Sequence, residues 1–201
     1  MDTAQESRRA TLRSGEDEQS RATRALLIGA YEQAAAARLR SPSVTWMCER
    51  AGVGRSTFYT HFASVEELAI TAITAGFEPI SVSDTDRRRA HPDQRRAIAG
   101  DGLHSIIENL ERARPVLEYT LRIGSRAALL TRLIEQFALH TRQTVALEYE
   151  GLDAARLEVV TEYVSAGAAH SVLRWIEGGT ALTRAELVAQ LLDLLPAPLI
   201  R

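Results

Sequence analysis

Lysine is absent: all 24 basic residues are arginine, so any phosphate or carboxylate contact made through a cation uses a planar guanidinium fork. Cysteine occurs once, at Cys48, which excludes an intramolecular disulfide and leaves the thiol as a packing residue on a helix. Long apolar runs are missing and the N-terminus is polar, so neither a membrane span nor a secretory signal is expected, and a cytoplasmic location follows. Nucleophile elbow, phosphate loop, dinucleotide fingerprint and zinc spacing are also missing. His61, His91, His104, His140 and His170 form no H-x-x-x-H or H-E-x-x-H pattern. No catalytic residue, cofactor or metal is therefore expected, and His104, His140 and His170 read first as hydrogen-bonded core.

What is present is helical periodicity. The chain of 201 residues is long enough for one ordinary domain, or for a small one joined to a larger. Its net charge of −2 divides unevenly: residues 1–62 carry nine arginines against seven acids, and the remainder fifteen against nineteen. The N-terminal third is thus the more basic part, as a DNA-facing region would be.

The most informative stretch is residues 43–62, SVTWMCERAGVGRSTFYTHF. Ser43 is placed to cap a short helix by accepting a bond from a first-turn N–H. Val44, Met47 and Cys48 share one face of that helix, leaving Thr45, Trp46, Glu49 and Arg50 to look outward or sideways. Gly52 supplies the positive φ that a tight interhelical turn needs, and Val53 plugs the gap beside it. Over residues 55–61 a second helix offers Arg55, Ser56, Thr57, Tyr59, Thr60 and His61 as hydrogen-bonding groups, with Phe58 and Phe62 as anchors. The pattern predicts a helix-turn-helix with a recognition helix.

In Ala51-Gly52-Val53, Thr57-Phe58-Tyr59, His61-Phe62 and Ser64-x-Glu66-Glu67-Leu68 the chain resembles the TetR family of bacterial transcriptional regulators, over roughly residues 21–73. It departs at Gly54, where the family usually has Ser or Thr, and at Val65, where it usually has Lys. Gly54 is a weaker N-cap and lacks a hydroxyl for phosphate.

Around this motif, residues 1–19 lack periodic apolar positions and read as a disordered extension. Residues 20–39 form a first helix with Leu27, Ala30, Ala34 and Ala37 on one face, stopped by Arg40-Ser41-Pro42. A Ser64-x-x-Glu67 capping box opens a fourth helix reaching about Phe77. Residues 79–92, with two prolines and the Arg87-Arg88-Arg89 triplet, read as a loop or hinge carrying a solvated basic patch. Helices follow near Asp93, at Arg114-Pro115 and at Ser125. The last two run from an Asp153 cap to Glu177, stopped by Gly178-Gly179, and from a Thr183-to-Glu186 capping box to Pro196.

The expected fold is all-α: an extension over residues 1–19, a three-helix DNA-binding domain over 20–63, and a helical bundle over 64–201. For DNA, Arg55 is the choice for bidentate reading of guanine, with Ser56 and Thr60 as lesser base contacts. Ser43, Thr45, Thr57, Tyr59 and His61 are expected to hold phosphates, and Trp46 and Gly54 complete the expected surface. The resemblance further implies an unidentified small-molecule effector in the bundle, with Leu103, His104, Ile107, Tyr119, Arg122, Phe137, His140 and Trp175 as its expected surroundings. It also implies a homodimer through the terminal hairpin, with Val160, Val164, Ala168, Val172, Leu187, Leu191 and Leu194 at the interface. The implied function is a dimeric, ligand-responsive regulator, more expected to repress than to activate, on a pseudo-palindromic operator in double-stranded DNA. Alternatives are a helical sensor or carrier whose three-helix head docks a protein partner and, less favoured, an all-helical enzyme using His104 or His140.

Overall fold

The computed structural model describes residues 3–149 and 151–201, with side chains from residue 17 onward. Among the described residues the chain is all-α, with ten α-helices, two short 3-10 turns and no strand. Two compact units divide it, residues 1–72 and 73–201. No helix among the described residues is long and apolar enough to cross a membrane.

In the first unit α1 (Thr3–Ala36), α2 (Val44–Ala51) and α3 (Arg55–His61) pack on one another. Leu27, Ala30, Tyr31 and Ala34 of α1 are buried with Met47, Cys48 and Ala51 of α2 and with Phe58 and Phe62 at α3. The stop after α1 is a Schellman turn: the Leu39 N–H donates to the Ala34 carbonyl and the Arg38 N–H to that of Ala35. Arg38 takes the left-handed position, at φ 52°, where glycine is the usual occupant.

The disordered extension expected over residues 1–19 is instead helical backbone from Thr3, continuous with α1; Met1 and Asp2 lie outside the described residues. Apart from Gly15 the segment is rich in Ala, Glu, Gln, Arg and Leu, good helix formers even without an apolar face. The fourth helix, α4 (Val65–Thr74), ends a few residues before Phe77. The Ser64 hydroxyl accepts from the Glu67 N–H at 3.2 Å, and the Glu67 carboxylate accepts from the Ala63 N–H at 2.6 Å. The first unit extends to Ala72, past the boundary expected at residue 63, because most of α4 belongs to it.

The second unit holds α5 (Phe77–Ala90), α6 (Arg95–Arg112), α7 (Arg114–Ile123), α8 (Arg126–Glu148), α9 (Ala154–Ile176) and α10 (Arg184–Leu194). Helices α8 and α9 pack along their lengths, α5 lies on α6 and α8, and α10 lies on α6. Ile98, Ile106, Ile107, Leu110, Leu133, Phe137, Val145, Val172 and Leu173 form the centre of this core. Phe77 meets Phe137 edge to face at 5.4 Å.

Helix α5 corrects the loop expected over residues 79–92. Pro79 falls in its first turn, where a missing N–H leaves no intrahelical bond unmade. Asp84 and Arg88 then stand one turn apart and pair. Successive residues of a helix point about 100° apart, so the arginine triplet is not one solvated patch. Arg87 bonds Asp101 at 2.7 Å, Arg89 is exposed, and Arg88 is buried.

Candidate nucleic-acid interface and bundle cavity

The short turn between α2 and α3 is built locally. The Ser43 hydroxyl accepts from the Trp46 N–H at 3.2 Å and so caps α2. Gly52 ends the helix in the left-handed conformation, φ 69°, and the N–H of Val53 reaches the Cys48 carbonyl at 3.0 Å. Gly54 begins α3 with extended backbone and no side-chain cap.

One face of α3 is anchored. Phe58 is wholly buried and its ring lies 6.0 Å from that of Phe62. Arg24 of α1 closes the far end: its guanidinium donates to the His61 carbonyl at 3.1 Å and stands 4.7 Å above the Phe62 ring. A cation there satisfies a C-terminal carbonyl and stacks on the aromatic face at once. Burial pushes the Cys48 thiol above its ordinary pKa, with nearby Arg55 acting the other way, so Cys48 is a protonated packing residue.

The other face is free. Arg55, Ser56 and Thr60 are exposed and Tyr59 is 52 % exposed, its ring edge-on to Phe58 at 5.4 Å. Ser43, Thr45 and Gly54 are also exposed, while Trp46, Thr57 and His61 are half-buried. All ten residues expected at a DNA surface therefore lie within α2, α3 and their caps, and none is buried. The Thr60 hydroxyl donates back to the Ser56 carbonyl at 3.1 Å, leaving its lone pairs for an incoming donor.

In the second unit a cavity of about 60 Å³ is bounded by α5, α6, α8, α9 and the segment after α10. Leu103, Ile106, Phe137, Val164, Leu195 and Leu199 make its apolar wall, and Asp84, Arg88, His140, Thr141 and Thr144 its polar one. Gly102 permits the approach of α6, since a Cβ there would sit 3.2 Å from Asp84 Oδ1. Arg88 Nε donates to Asp84 at 2.8 Å, and its Nη1 donates to Glu148 at 3.0 Å and to the Leu199 carbonyl at 2.9 Å. Arg95 also bonds Glu148. Burial is the main cause that holds His140 below the ordinary histidine pKa; the Asp84 charge opposes it and the Arg88 charge adds to it.

Of the expected effector residues, Leu103, Phe137 and His140 reach this cavity. The others stand elsewhere. Ile107 is wholly buried core. Exposed His104 has Nε2 3.4 Å from Arg184 Nη1. Arg122 stacks over the buried Tyr119 ring at 5.3 Å, and Trp175 Nε1 donates to the Leu182 carbonyl at 2.6 Å. The sequence reading missed Asp84, Arg88 and Glu148, because a segment taken as loop hid the i, i+4 spacing of the first two.

The expected dimer residues divide as well. Leu194 is 70 % exposed, and Val160, Val164 and Ala168 are half-buried. Val172, Leu187 and Leu191 are buried within the chain. Each of α9 and α10 carries more than one apolar face, and these residues occupy the face turned inward. Exposed Tyr163 and Val159, at 70 % and 65 %, lie on α9 outside the expected set. Among known proteins, no family model matches the chain, and no curated protein matches it either.

Proposed function

We propose that the protein is a dimeric, ligand-responsive regulator of transcription that binds a pseudo-palindromic DNA operator. The reading is carried by one observation: α3 buries Phe58 against the first unit while presenting Arg55, Ser56, Tyr59 and Thr60 together to solvent. A short helix anchored on one side, and lined on the other by groups that bond bases and phosphates, suits the second helix of a helix-turn-helix in a major groove. Arg55 supplies the fork that matches guanine O6 and N7. Ser43, Thr45, Tyr59 and His61 supply phosphate contacts, which set register without reading sequence.

Two recognition helices on successive grooves need a two-fold pair of protomers, with half-sites about 34–36 Å apart. The exposed apolar residues Tyr163 and Leu194 support pairing through α9 and α10, since large apolar groups left in water favour association. An effector in the bundle cavity would act through α4, which carries the chain from one unit to the other, by binding better to the state that misplaces the recognition helices.

Fluorescence anisotropy with duplexes from the DNA flanking the gene tests this reading at two salt concentrations. Specific binding that weakens steeply with salt is expected. Tyr59→Ala weakens binding on every sequence, and Arg55→Ala also relaxes preference at one base pair, by about 1–3 kcal/mol. Binding that is indifferent to both substitutions and to salt would transfer the exposed face of α3 to a protein partner.

A further inference from the structure

The bundle cavity has a charge balance that limits what can enter it. Arg88 is engaged through Nε and Nη1 by Asp84, Glu148 and the Leu199 carbonyl, and Glu148 is also held by Arg95. Two guanidinium groups thus meet two carboxylates. An anionic ligand would have to displace one of those carboxylates, and a cationic one would have to break Arg88 from them; either leaves a charge in a dry site without its counter-ion.

His140 lacks such an engagement. His140 Nδ1 is buried with no hydrogen-bond partner, and its ring lines the cavity. A hydroxyl both donates and accepts, so it pairs with a ring nitrogen of His140 in either tautomer. A surface groove of about 140 Å³, walled also by the exposed Tyr163 and Leu194, lies alongside, and both are bounded by Leu103, Val164, Ala168 and Leu195. Rotation of Leu103 or Leu195 would join the two, giving more room than the roughly 150 Å³ in which an apolar cavity holds benzene.

We infer that the joined cavity takes an uncharged, compact and mainly apolar molecule, one ring in size, whose single hydroxyl bonds His140 while Leu195 serves as the gate. This deepens the regulator reading. It rests on that reading for the consequence at DNA, not for the binding itself.

Titration calorimetry of the full chain with phenol, toluene, benzoate and benzylamine at neutral pH tests the inference. Phenol is expected to bind about three- to tenfold more tightly than toluene, the worth of one hydrogen bond, and neither ion is expected to bind. His140→Phe keeps a ring in place and should erase the preference for phenol while retaining toluene. Leu195→Trp should close the gate to both, with an unchanged circular dichroism spectrum reporting that each variant is folded. Tighter binding of benzoate than phenol, phenol binding that ignores His140→Phe, or no phenol binding by folded protein would each overturn the inference. Operator anisotropy separates the two readings: DNA binding without phenol binding sinks the ligand class alone. Phenol binding with the stated preferences but no DNA binding supports the cavity and sinks the regulator.

Discussion

Arg88 Nε lies 2.8 Å from Asp84 Oδ2, one turn away on α5, with the two side chains only 3 % and 4 % exposed. A guanidinium so far from water is tolerated because its neighbours come from three places in the chain. Asp84 belongs to its own helix, Glu148 to the end of α8, and the Leu199 carbonyl to the segment after α10. The network joins residues far apart in sequence; if Arg88 is removed Asp84 loses its counter-charge, while Glu148 keeps Arg95.

Arg88→Met is therefore expected to destabilise the second unit by about 3–5 kcal/mol, mostly from stranding Asp84 without a cation. Adding Asp84→Asn should recover part of that loss, since the stranded charge is gone. Urea unfolding followed at Trp175, in a Trp46→Phe background, reads this unit. A loss under about 1 kcal/mol would mean that water reaches the pair.

His140 sets a pH dependence whose sign follows from burial. Its pKa in the folded chain lies below the ordinary 6.5, chiefly through desolvation, so the unfolded chain takes up this proton first as pH falls. Stability from this group is fully present above about pH 6.5, and it declines as acid drives the pH down toward the folded pKa. His140→Phe should flatten that part of the profile. Unfolding midpoints at several pH values between 8 and 5, for wild type and variant, check it.

The two glycines of the α2–α3 turn should respond in opposite ways. Gly52 has φ 69°, a conformation that costs an L-residue about 1–2 kcal/mol, so Gly52→Ala is expected to lose at least that much. Gly54 has φ −79°, and a Cβ there meets nothing nearer than 3.7 Å. Gly54→Ser adds a capping oxygen at the start of α3 and should gain a few tenths of a kcal/mol. Trp46 fluorescence during unfolding, in a Trp175→Phe background, measures both.

At α10 the Glu186 carboxylate accepts from both the Thr183 N–H and its hydroxyl, each at 2.8 Å. The Thr183 backbone bond, and then the hydroxyl bond, lower the Glu186 pKa below its ordinary 4.5. The capping box is thus intact above that value and weakens as pH falls through the folded pKa. Glu186→Gln should blunt the acid sensitivity of α10, read by amide hydrogen exchange in its first turn at pH 6 and pH 4.

Much of the helical layout was legible because its signals are local. Ser43, Ser125, Asp153 and Thr183 each cap the helix that follows through a side-chain bond to a residue three positions on, and such a bond needs no tertiary partner. The exposed face of α3 was legible for a similar reason, since Phe58 and Phe62 recur at i, i+4 and so define the opposite side. The bundle cavity was less legible: Leu103, Phe137 and His140 line it, but apolar residues at helical spacing look alike whether they wall a cavity, as Phe137 does, or fill a core, as Ile107 does.

By itself, then, the order of residues determined the all-α class, the side-chain caps at Ser43, Asp153 and Thr183, and the left-handed turn at Gly52, because these depend on backbone sterics and bonds spanning a few residues. Only the tertiary structure decided that Arg88 leaves water while Arg87 and Arg89 do not. It alone turned Val172, Leu187 and Leu191 inward, and it left His140 Nδ1 without a partner. Burial is a property of what packs opposite, and for these residues the opposing atoms lie on other helices, in some cases more than fifty residues away in the chain.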